Sequence, residues 1–176
     1  MTDTQPWADE IFDVLKQADV RQVAYVPDAG HIRLIERSQN DPTLKTIALT
    51  TEEEGIGIIA GAWLGGERGV LLMQSSGVGN CINMLSMIQE CRFPFLTLVT
   101  MRGQWGEFNP WQVPMGQGTK PVLENMGIIV QPVDTADTLA ETVDAAAHLA
   151  FDAYCAVAVL ISQRIIGFKN WGDDQP

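Results

Sequence analysis

Residues 45–74, KTIALTTEEEGIGIIAGAWLGGERGVLLMQ, indicate the fold because they read as a strand, a helix and a second strand. The outer parts, KTIALT and GVLLMQ, are short and mostly apolar, whereas the middle predicts a helix over Glu52–Leu64 that ends at Gly65 and Gly66. Short continuous apolar runs are typical of strands that are buried on both faces. A helix between two such strands predicts that they pair in parallel.

The same alternation continues along the rest of the chain. Further strands are predicted at residues 22–27, 93–100, 128–133 and 155–161, and further helices at residues 7–17, 31–39, 79–91, 120–127 and 135–153. Residues 102–117 have no regular pattern, and loops of this length in compact domains are usually functional or mobile. The predicted fold class is α/β, a three-layer sandwich whose mostly parallel, roughly six-stranded sheet is covered by helices on both faces. We expect one domain over residues 1–176, with its core at about residues 8–165.

The composition argues against several classes of function. The chain has 176 residues, and its 11 basic and 22 acidic residues give a net charge of -11, which disfavours nucleic acids and anionic membranes as partners. No apolar run is long enough to span a membrane, and the acidic, amphipathic start does not predict a secretory signal, so we expect a cytoplasmic location. Three cysteines without C-x-x-C spacing and two histidines predict neither a disulfide framework nor a metal site.

Three consecutive glutamates, Glu52, Glu53 and Glu54, begin the helix of the opening stretch. If Thr51 is the N-cap, Glu54 completes a T-x-x-E capping box. The other two glutamates would then lie in the first turn, where negative charge suits the helix dipole. Helix capping alone would therefore explain all three residues.

A second interpretation concerns one face of this helix. Glu53 shares that face with small and apolar residues, namely Ile56, Gly57, Ala60, Gly61 and Leu64. A glycine in a helix interior costs about 1 kcal/mol, so two of them indicate that another element approaches the helix backbone closely. On such a face Glu53 would lose its contact with water, which prepares a carboxyl group to share a proton with a ligand.

Other candidate site residues follow predicted strands, because ligands of parallel sheets bind at the carboxyl ends of the strands. In MQSSGVGNCIN, residues 73–83, small residues would let backbone N–H groups approach a ligand, or Ser75 or Ser76 would simply cap a helix. Arg102 would clamp a carboxylate, phosphate or sulfonate group, or it would pair with Glu107. His31 is either structural or titrates near a substrate.

Aromatic residues are concentrated in WGEFNPWQVP, residues 105–114. Two explanations stay open for this segment. The side chains would hold the loop to the body of the domain, or they would form a pocket wall or a surface for a partner, where aromatic residues are enriched.

These motifs together resemble the pyrimidine-binding domain of thiamine diphosphate-dependent 2-oxo acid decarboxylases. That family has an E-x-G-x-x-x-x-A motif at the start of a helix, which Glu53, Gly55 and Ala60 match. Its next strand ends in a small-residue turn, which is similar to Ser76 and Gly77 after LLMQS. Within the family, the order of the motifs is most similar to alpha subunits of sulfopyruvate decarboxylases, and phosphonopyruvate decarboxylases are close relatives.

The resemblance implies roles for individual residues. The glutamate at the Glu53 position would be the catalytic residue and would hydrogen-bond N1′ of the aminopyrimidine of thiamine diphosphate, although a slip of one residue would give this role to Glu54. Cofactor contacts are implied for the strand-ending turn, which consists of Gln74, Ser75, Ser76 and Gly77. The second anion of sulfopyruvate or phosphonopyruvate requires a cation, and the candidates for substrate binding are Arg102, His31 and the neutral donor Gln104.

The resemblance also implies a partner chain. The family holds the diphosphate of the cofactor through Mg²⁺ in a second domain, which carries a G-D-G motif followed by an asparagine. This sequence contains no G-D-G, and WGDDQP at residues 171–176 comes too late to replace it. We therefore expect a separate beta subunit with the G-D-G motif, Mg²⁺ bound by that subunit, and a hetero-oligomer.

Two alternatives stay open. The chain would serve another reaction of the same cofactor, such as carboligation or the decarboxylation of another 2-oxo acid. It would otherwise be a non-catalytic α/β binding or regulatory subunit, in which the glutamates only cap a helix.

Overall fold

The sheet is the centre of the computed structural model, which describes residues 5–168. Its strands are β1 (Val20–Tyr25), β2 (Lys45–Ala48), β3 (Arg68–Gln74), β4 (Phe95–Thr100), β5 (Ile129–Val133) and β6 (Ala156–Ile161). Their order is β2-β1-β3-β4-β6-β5, and every neighbouring pair is parallel. The predicted six-stranded α/β sheet is confirmed.

The helices are α1 (Pro6–Gln17), α2 (Ile32–Asn40), α3 (Glu52–Leu64), α4 (Ser75–Cys81), α5 (Leu85–Cys91), α6 (Val113–Asn125), α7 (Leu139–Phe151) and α8 (Gln163–Ile166). Short 3₁₀ turns occupy Ala29–His31, Pro110–Gln112 and Ala136–Thr138. No helix within residues 5–168 is long and apolar enough to cross a bilayer.

Each face of the sheet buries its own hydrophobic core. Along β3, Val70 and Leu72 pack with side chains of α1, α2 and α7, whereas Leu71 and Met73 pack with side chains of α3, α4 and α5. This alternation follows from the two-residue period of a strand. The helices therefore form two outer layers, as a sheet with fully buried central strands requires.

Two predicted helices have different bounds in the structure. The single helix predicted over residues 79–91 is wrong, because α4 begins at Ser75 and a break separates it from α5. The helix predicted over residues 120–127 starts earlier, at Val113, so the irregular segment is shorter than expected. Prolines made this part look irregular, but Pro114 lies in the first turn, where a helix tolerates proline.

A tertiary contact explains why α6 starts early. Gly116 lies against the backbone of Arg102 and Gly103, and a Cβ atom at this position would overlap the Arg102 carbonyl group. The glycine that weakens the helical pattern in the sequence therefore permits the close packing that fixes the helix.

Candidate active site

Glu52 is buried at the start of α3, with 8% of its surface exposed. Its Oε2 accepts a hydrogen bond of 2.8 Å from Asn80 Nδ2. The side chain also fills the space beside Gly77, where a Cβ atom would overlap the Glu52 carboxyl group. Glu52 lies in the first turn of α3, as expected, but its carboxylate is buried and also joins α3 to α4.

Glu54 caps the helix in a different way from the predicted capping box. The Thr51 side chain makes no capping hydrogen bond. Glu54 Oε2 instead accepts a hydrogen bond of 2.9 Å from the backbone N–H of Thr50. The predicted box is corrected on this point, although Glu54 does stabilise the start of α3.

Glu53 is exposed, and its side chain makes no hydrogen bond or ion pair with any residue in the range 5–168. On the same helix, Cβ atoms added at Gly57 and Gly61 would meet no atom within 4 Å, and Leu64 is 88% exposed. Ile56, which was expected on this face, is fully buried instead. The chain therefore presents Glu53 beside an open strip of backbone and does not itself remove this carboxylate from water.

A polar network joins the ends of three strands beside α3. Gln74 Nε2 donates to Asp28 Oδ1 at 3.0 Å, and Thr100 Oγ1 donates to Asp28 Oδ2 at 2.5 Å. Ser76 Oγ donates to Gln74 Oε1 at 2.9 Å. Asp28, which no motif in the sequence singles out, thus fixes the orientation of the Gln74 amide and, through it, of the Ser76 hydroxyl group.

The remaining residues of this turn lie below its surface. Ser75 is fully buried, and its Oγ accepts a hydrogen bond of 3.0 Å from the backbone N–H of Arg102. Gly77 is buried against Glu52. The alternative in which a serine caps α4 is wrong, since the N-cap is Gln74, without a side-chain capping bond. Of the four predicted cofactor residues, Gln74 and Ser76 are the ones with partly exposed side chains.

Arg102 forms a two-point ion pair with Glu107. Its Nε and Nη2 donate to the two carboxylate oxygens at 2.6 Å each. The Glu107 side chain is only 3% exposed, and the Arg102 guanidinium group and backbone N–H donors lower the pKa of Glu107 to about 2. The structure therefore shows the predicted ion pair between Arg102 and Glu107, and the Glu107 carboxylate offsets much of the positive charge of Arg102.

His31 is completely buried, and its Nε2 lies 3.1 Å from the Leu98 carbonyl oxygen. Burial lowers the pKa of His31 despite the nearby negative charge of Asp28, so the imidazole is neutral near pH 7. The expectation that His31 supplies a cation for the substrate is corrected for this reason. Gln104, in contrast, has an exposed side chain, and its backbone N–H donates to Gln163 Oε1 at 3.1 Å.

Cys81 is a fully buried residue at the end of α4. Burial, together with the charges of Glu52 and Glu53, raises the pKa of its thiol to about 12. The side chain therefore stays protonated and is not a nucleophile.

Comparison with known proteins gives the family. The thiamine pyrophosphate enzyme N-terminal TPP binding domain matches residues 7–111. The chain is 34% identical over 155 residues to the sulfopyruvate decarboxylase subunit alpha of Methanococcus maripaludis, covering 88% of this chain and 93% of that protein. It is 38% identical over 107 residues to the phosphonopyruvate decarboxylase of Streptomyces viridochromogenes, covering 60% of this chain and 27% of that protein.

The fold has solved relatives as well. A 2-oxoglutarate:ferredoxin oxidoreductase from Magnetococcus marinus superposes with a TM-score of 0.70 at 12% identity, over 96% of this chain and 34% of that chain. At this identity the similarity concerns the fold alone. The family match over residues 7–111 and the relative that is 34% identical show that the chain belongs to the thiamine pyrophosphate enzyme family and contains its N-terminal TPP-binding domain.

Proposed function

We propose that the chain is the pyrimidine-binding subunit of a 2-oxo acid decarboxylase that converts 3-sulfopyruvate to sulfoacetaldehyde and CO₂. The observation that carries this proposal is Glu53, an exposed carboxylate with no partner among the described residues, beside the open backbone at Gly57 and Gly61. The choice of substrate is supported by the relative that is 34% identical to this chain, which is named sulfopyruvate decarboxylase subunit alpha.

The residues at this edge fit one part of the cofactor, its aminopyrimidine ring. A flat ring needs open space and a carboxylate that can accept or share a proton at a ring nitrogen, and the Glu53 strip offers both. Glu54 is less suitable, since its carboxylate already accepts the Thr50 N–H. Gln74 and Ser76, oriented by Asp28, would add polar contacts. When bound, the cofactor supplies the electron sink that decarboxylation of a 2-oxo acid requires.

In this proposal Glu53 becomes desolvated only when a second chain covers it. Two carboxylates in the same turn would then have different roles. Glu52 joins α3 to α4 through Asn80, and Glu53 would share a proton with the nitrogen of the aminopyrimidine ring. Exclusion of water by the second chain strengthens this contact, because electrostatic interactions grow as the local dielectric constant falls.

We further propose that a separate beta subunit with a G-D-G motif and a downstream asparagine binds the diphosphate and Mg²⁺. The related protein from Methanococcus is itself named as a subunit. The chain spans only 27% of the related phosphonopyruvate decarboxylase, so the rest of that longer protein has room for a second domain. Within residues 5–168, no group of three or more His, Cys, Asp or Glu side chains could hold a metal ion.

For the substrate, we propose that Arg102 and Gln104 bind the second anion. The second candidate substrate is phosphonopyruvate, which carries a phosphonate group where sulfopyruvate carries a sulfonate group. A relative of this chain is named phosphonopyruvate decarboxylase. Arg102 would serve either group, since sulfonate and phosphonate both offer several oxygen acceptors.

The test is reconstitution of the enzyme with its beta subunit, followed by assay of CO₂ release from 3-sulfopyruvate. Glu53→Gln should assemble normally but lose activity by about 100-fold or more, because glutamine cannot exchange the proton. Glu54→Gln is the matched control and should keep its turnover. Glu53→Gln with wild-type turnover would exclude this role. Calorimetry should show no tight binding of thiamine diphosphate and Mg²⁺ to this chain alone, and tight binding would refute the two-subunit site.

A further inference from the structure

The Glu107 carboxylate receives five hydrogen bonds in the segment between β4 and α6. Arg102 supplies two of them, at 2.6 Å each. The backbone N–H groups of Gly103 and Asn109 donate at 3.2 and 3.0 Å, and Gln163 Nε2 donates at 3.0 Å. A buried carboxylate with this many donors fixes the position of each of them, because any displacement leaves a buried polar group without a partner.

Gln163 connects this carboxylate to α8. The residue is only 1% exposed, and its Oε1 accepts hydrogen bonds from the backbone N–H groups of Gln104 and Trp105 at 3.1 and 3.0 Å. The Arg164 guanidinium group lies 3.8 Å from the centroid of the Trp105 ring and adds a second contact between α8 and the segment. We call Arg102, Glu107, Gln163 and the four backbone donors the Glu107 cluster.

The cluster decides which part of Arg102 remains available. A guanidinium group has a side edge, formed by Nε and Nη2, and an end edge, formed by Nη1 and Nη2. Glu107 occupies the side edge, and among the described residues Nη1 makes no hydrogen bond. The Arg102 side chain is 21% exposed, and its guanidinium carbon lies 5.9 Å from the centroid of the Phe108 ring. The end edge is thus free to bind an anion in two-point fashion.

The pairing also changes how Arg102 would select an anion. The adjacent Glu107 carboxylate offsets much of its charge, so long-range attraction contributes little. Recognition must then depend on the placement of the end edge, which makes the residues that hold Arg102 as important as Arg102 itself.

We propose that Glu107 and Gln163 are positioning residues that hold the end edge of Arg102 towards the second anion of the substrate. This inference rests on the proposed function, in which Arg102 binds that anion. Two positions that are 56 residues apart in the sequence, on the loop after β4 and on α8, thereby determine the preference for a dianionic over a monoanionic 2-oxo acid.

Glu107→Gln tests the proposal in the enzyme reconstituted with its beta subunit. Whichever carboxylate oxygen of Glu107 is replaced by the glutamine NH₂ group, at least two hydrogen-bond donors would lose their acceptor and face another donor. Amide exchange at Gly103, Gln104, Trp105 and Asn109 should rise about 10-fold or more. The KM for sulfopyruvate should rise about 10-fold, with a smaller change for pyruvate, which lacks the second anion. Glu141→Gln, the same change at an exposed position of α7 that makes no contact with the Glu107 cluster, should alter neither quantity.

Two further variants keep the test decisive if Glu107→Gln folds poorly. Gln163→Met removes the acceptor for Gln104 and Trp105 but leaves the Arg102–Glu107 pair, and it should increase exchange at those two amides and weaken the preference for sulfopyruvate. Arg102→Ala combined with Glu107→Gln should lose no more of this preference than Arg102→Ala alone, since both act through one guanidinium group.

Additive losses, equal effects on both substrates or unchanged amide exchange would overturn the proposal. Its failure differs from failure of the proposed function. A wild-type enzyme that decarboxylates no 2-oxo acid would count against the function, whereas an active wild type whose selectivity survives in Glu107→Gln and Gln163→Met would count against the Glu107 cluster alone.

Discussion

Replacement of Gly57 by alanine should have opposite effects on the free chain and on the assembled enzyme. Gly57 lies in the exposed interior of α3, and its added Cβ atom would meet no atom within 4 Å. Alanine is favoured over glycine in a helix by about 1 kcal/mol, partly because it restricts the unfolded chain. For a domain of this size, the melting temperature of the free chain should rise by about 2–4 °C.

Assembly should be weakened by the same substitution. We expect a partner chain to lie against the backbone strip at Gly57 and Gly61, close to Glu53. A methyl group forced into such a well-packed contact typically costs about 1–3 kcal/mol, which corresponds to a rise in the dissociation constant of about 5- to 150-fold.

Two measurements on the same variant decide this prediction: thermal unfolding of the free chain and titration of the chain with its partner. Ala145→Gly, at an exposed position of α7 in the opposite layer, is the reverse control, which should destabilise the free chain without affecting assembly. If Gly57→Ala is more stable and still assembles with wild-type affinity, the strip is not a subunit contact. If the free Gly57→Ala chain is less stable than the wild type, the Cβ atom meets other atoms and the space beside Gly57 is not open.

Two other predictions concern groups around the site. The pKa of Glu107 is lowered from 4.5 to about 2, so its carboxylate stabilises the folded chain above about pH 4.5 and loses this effect as the pH falls towards 2. The stability difference between wild type and Glu107→Gln, measured by urea unfolding, should therefore shrink over that range, and a constant difference would contradict the assignment. Gly77→Ala should displace the Glu52 carboxyl group and destabilise the chain by about 1–3 kcal/mol, unless Glu52→Ala is combined with it to restore the space.

The sequence predicts the sheet well because its central strands β3, β4 and β6 are short and mostly apolar, and this pattern depends on local composition. The bounds of α3 are also predicted correctly, since Thr51 is extended at the start and Gly65 and Gly66 follow the last turn. The start of α6 could not be found in this way. It depends on the contact between Gly116 and the backbone of Arg102, which no local pattern contains.

The site shows the same division between local and distant causes. The spacing of Glu53, Gly57 and Gly61 places them on one helix face, because a helix repeats every 3.6 residues. The close approach of another element that was expected there is not found among residues 5–168, where this face is open. Arg102 and Glu107 are only five residues apart, so their ion pair can also be predicted from the sequence. The burial of Glu52 depends on Asn80, 28 residues away, and the Gln163 contacts depend on α8, so neither follows from spacing.

The three glutamates at the start of α3 differ because successive helix positions point about 100° apart. Glu52 faces inwards, where Asn80 and the missing side chain of Gly77 give it a place. Glu54 turns back to the N–H of Thr50. These two contacts anchor the first turn on both sides of Glu53, so its backbone is fixed although its own side chain has no partner within residues 5–168. In the proposed complex, where the pyrimidine ring and a second chain would cover Glu53, a carboxylate held in this way would lose little further backbone freedom, because its backbone is already ordered when the chain folds.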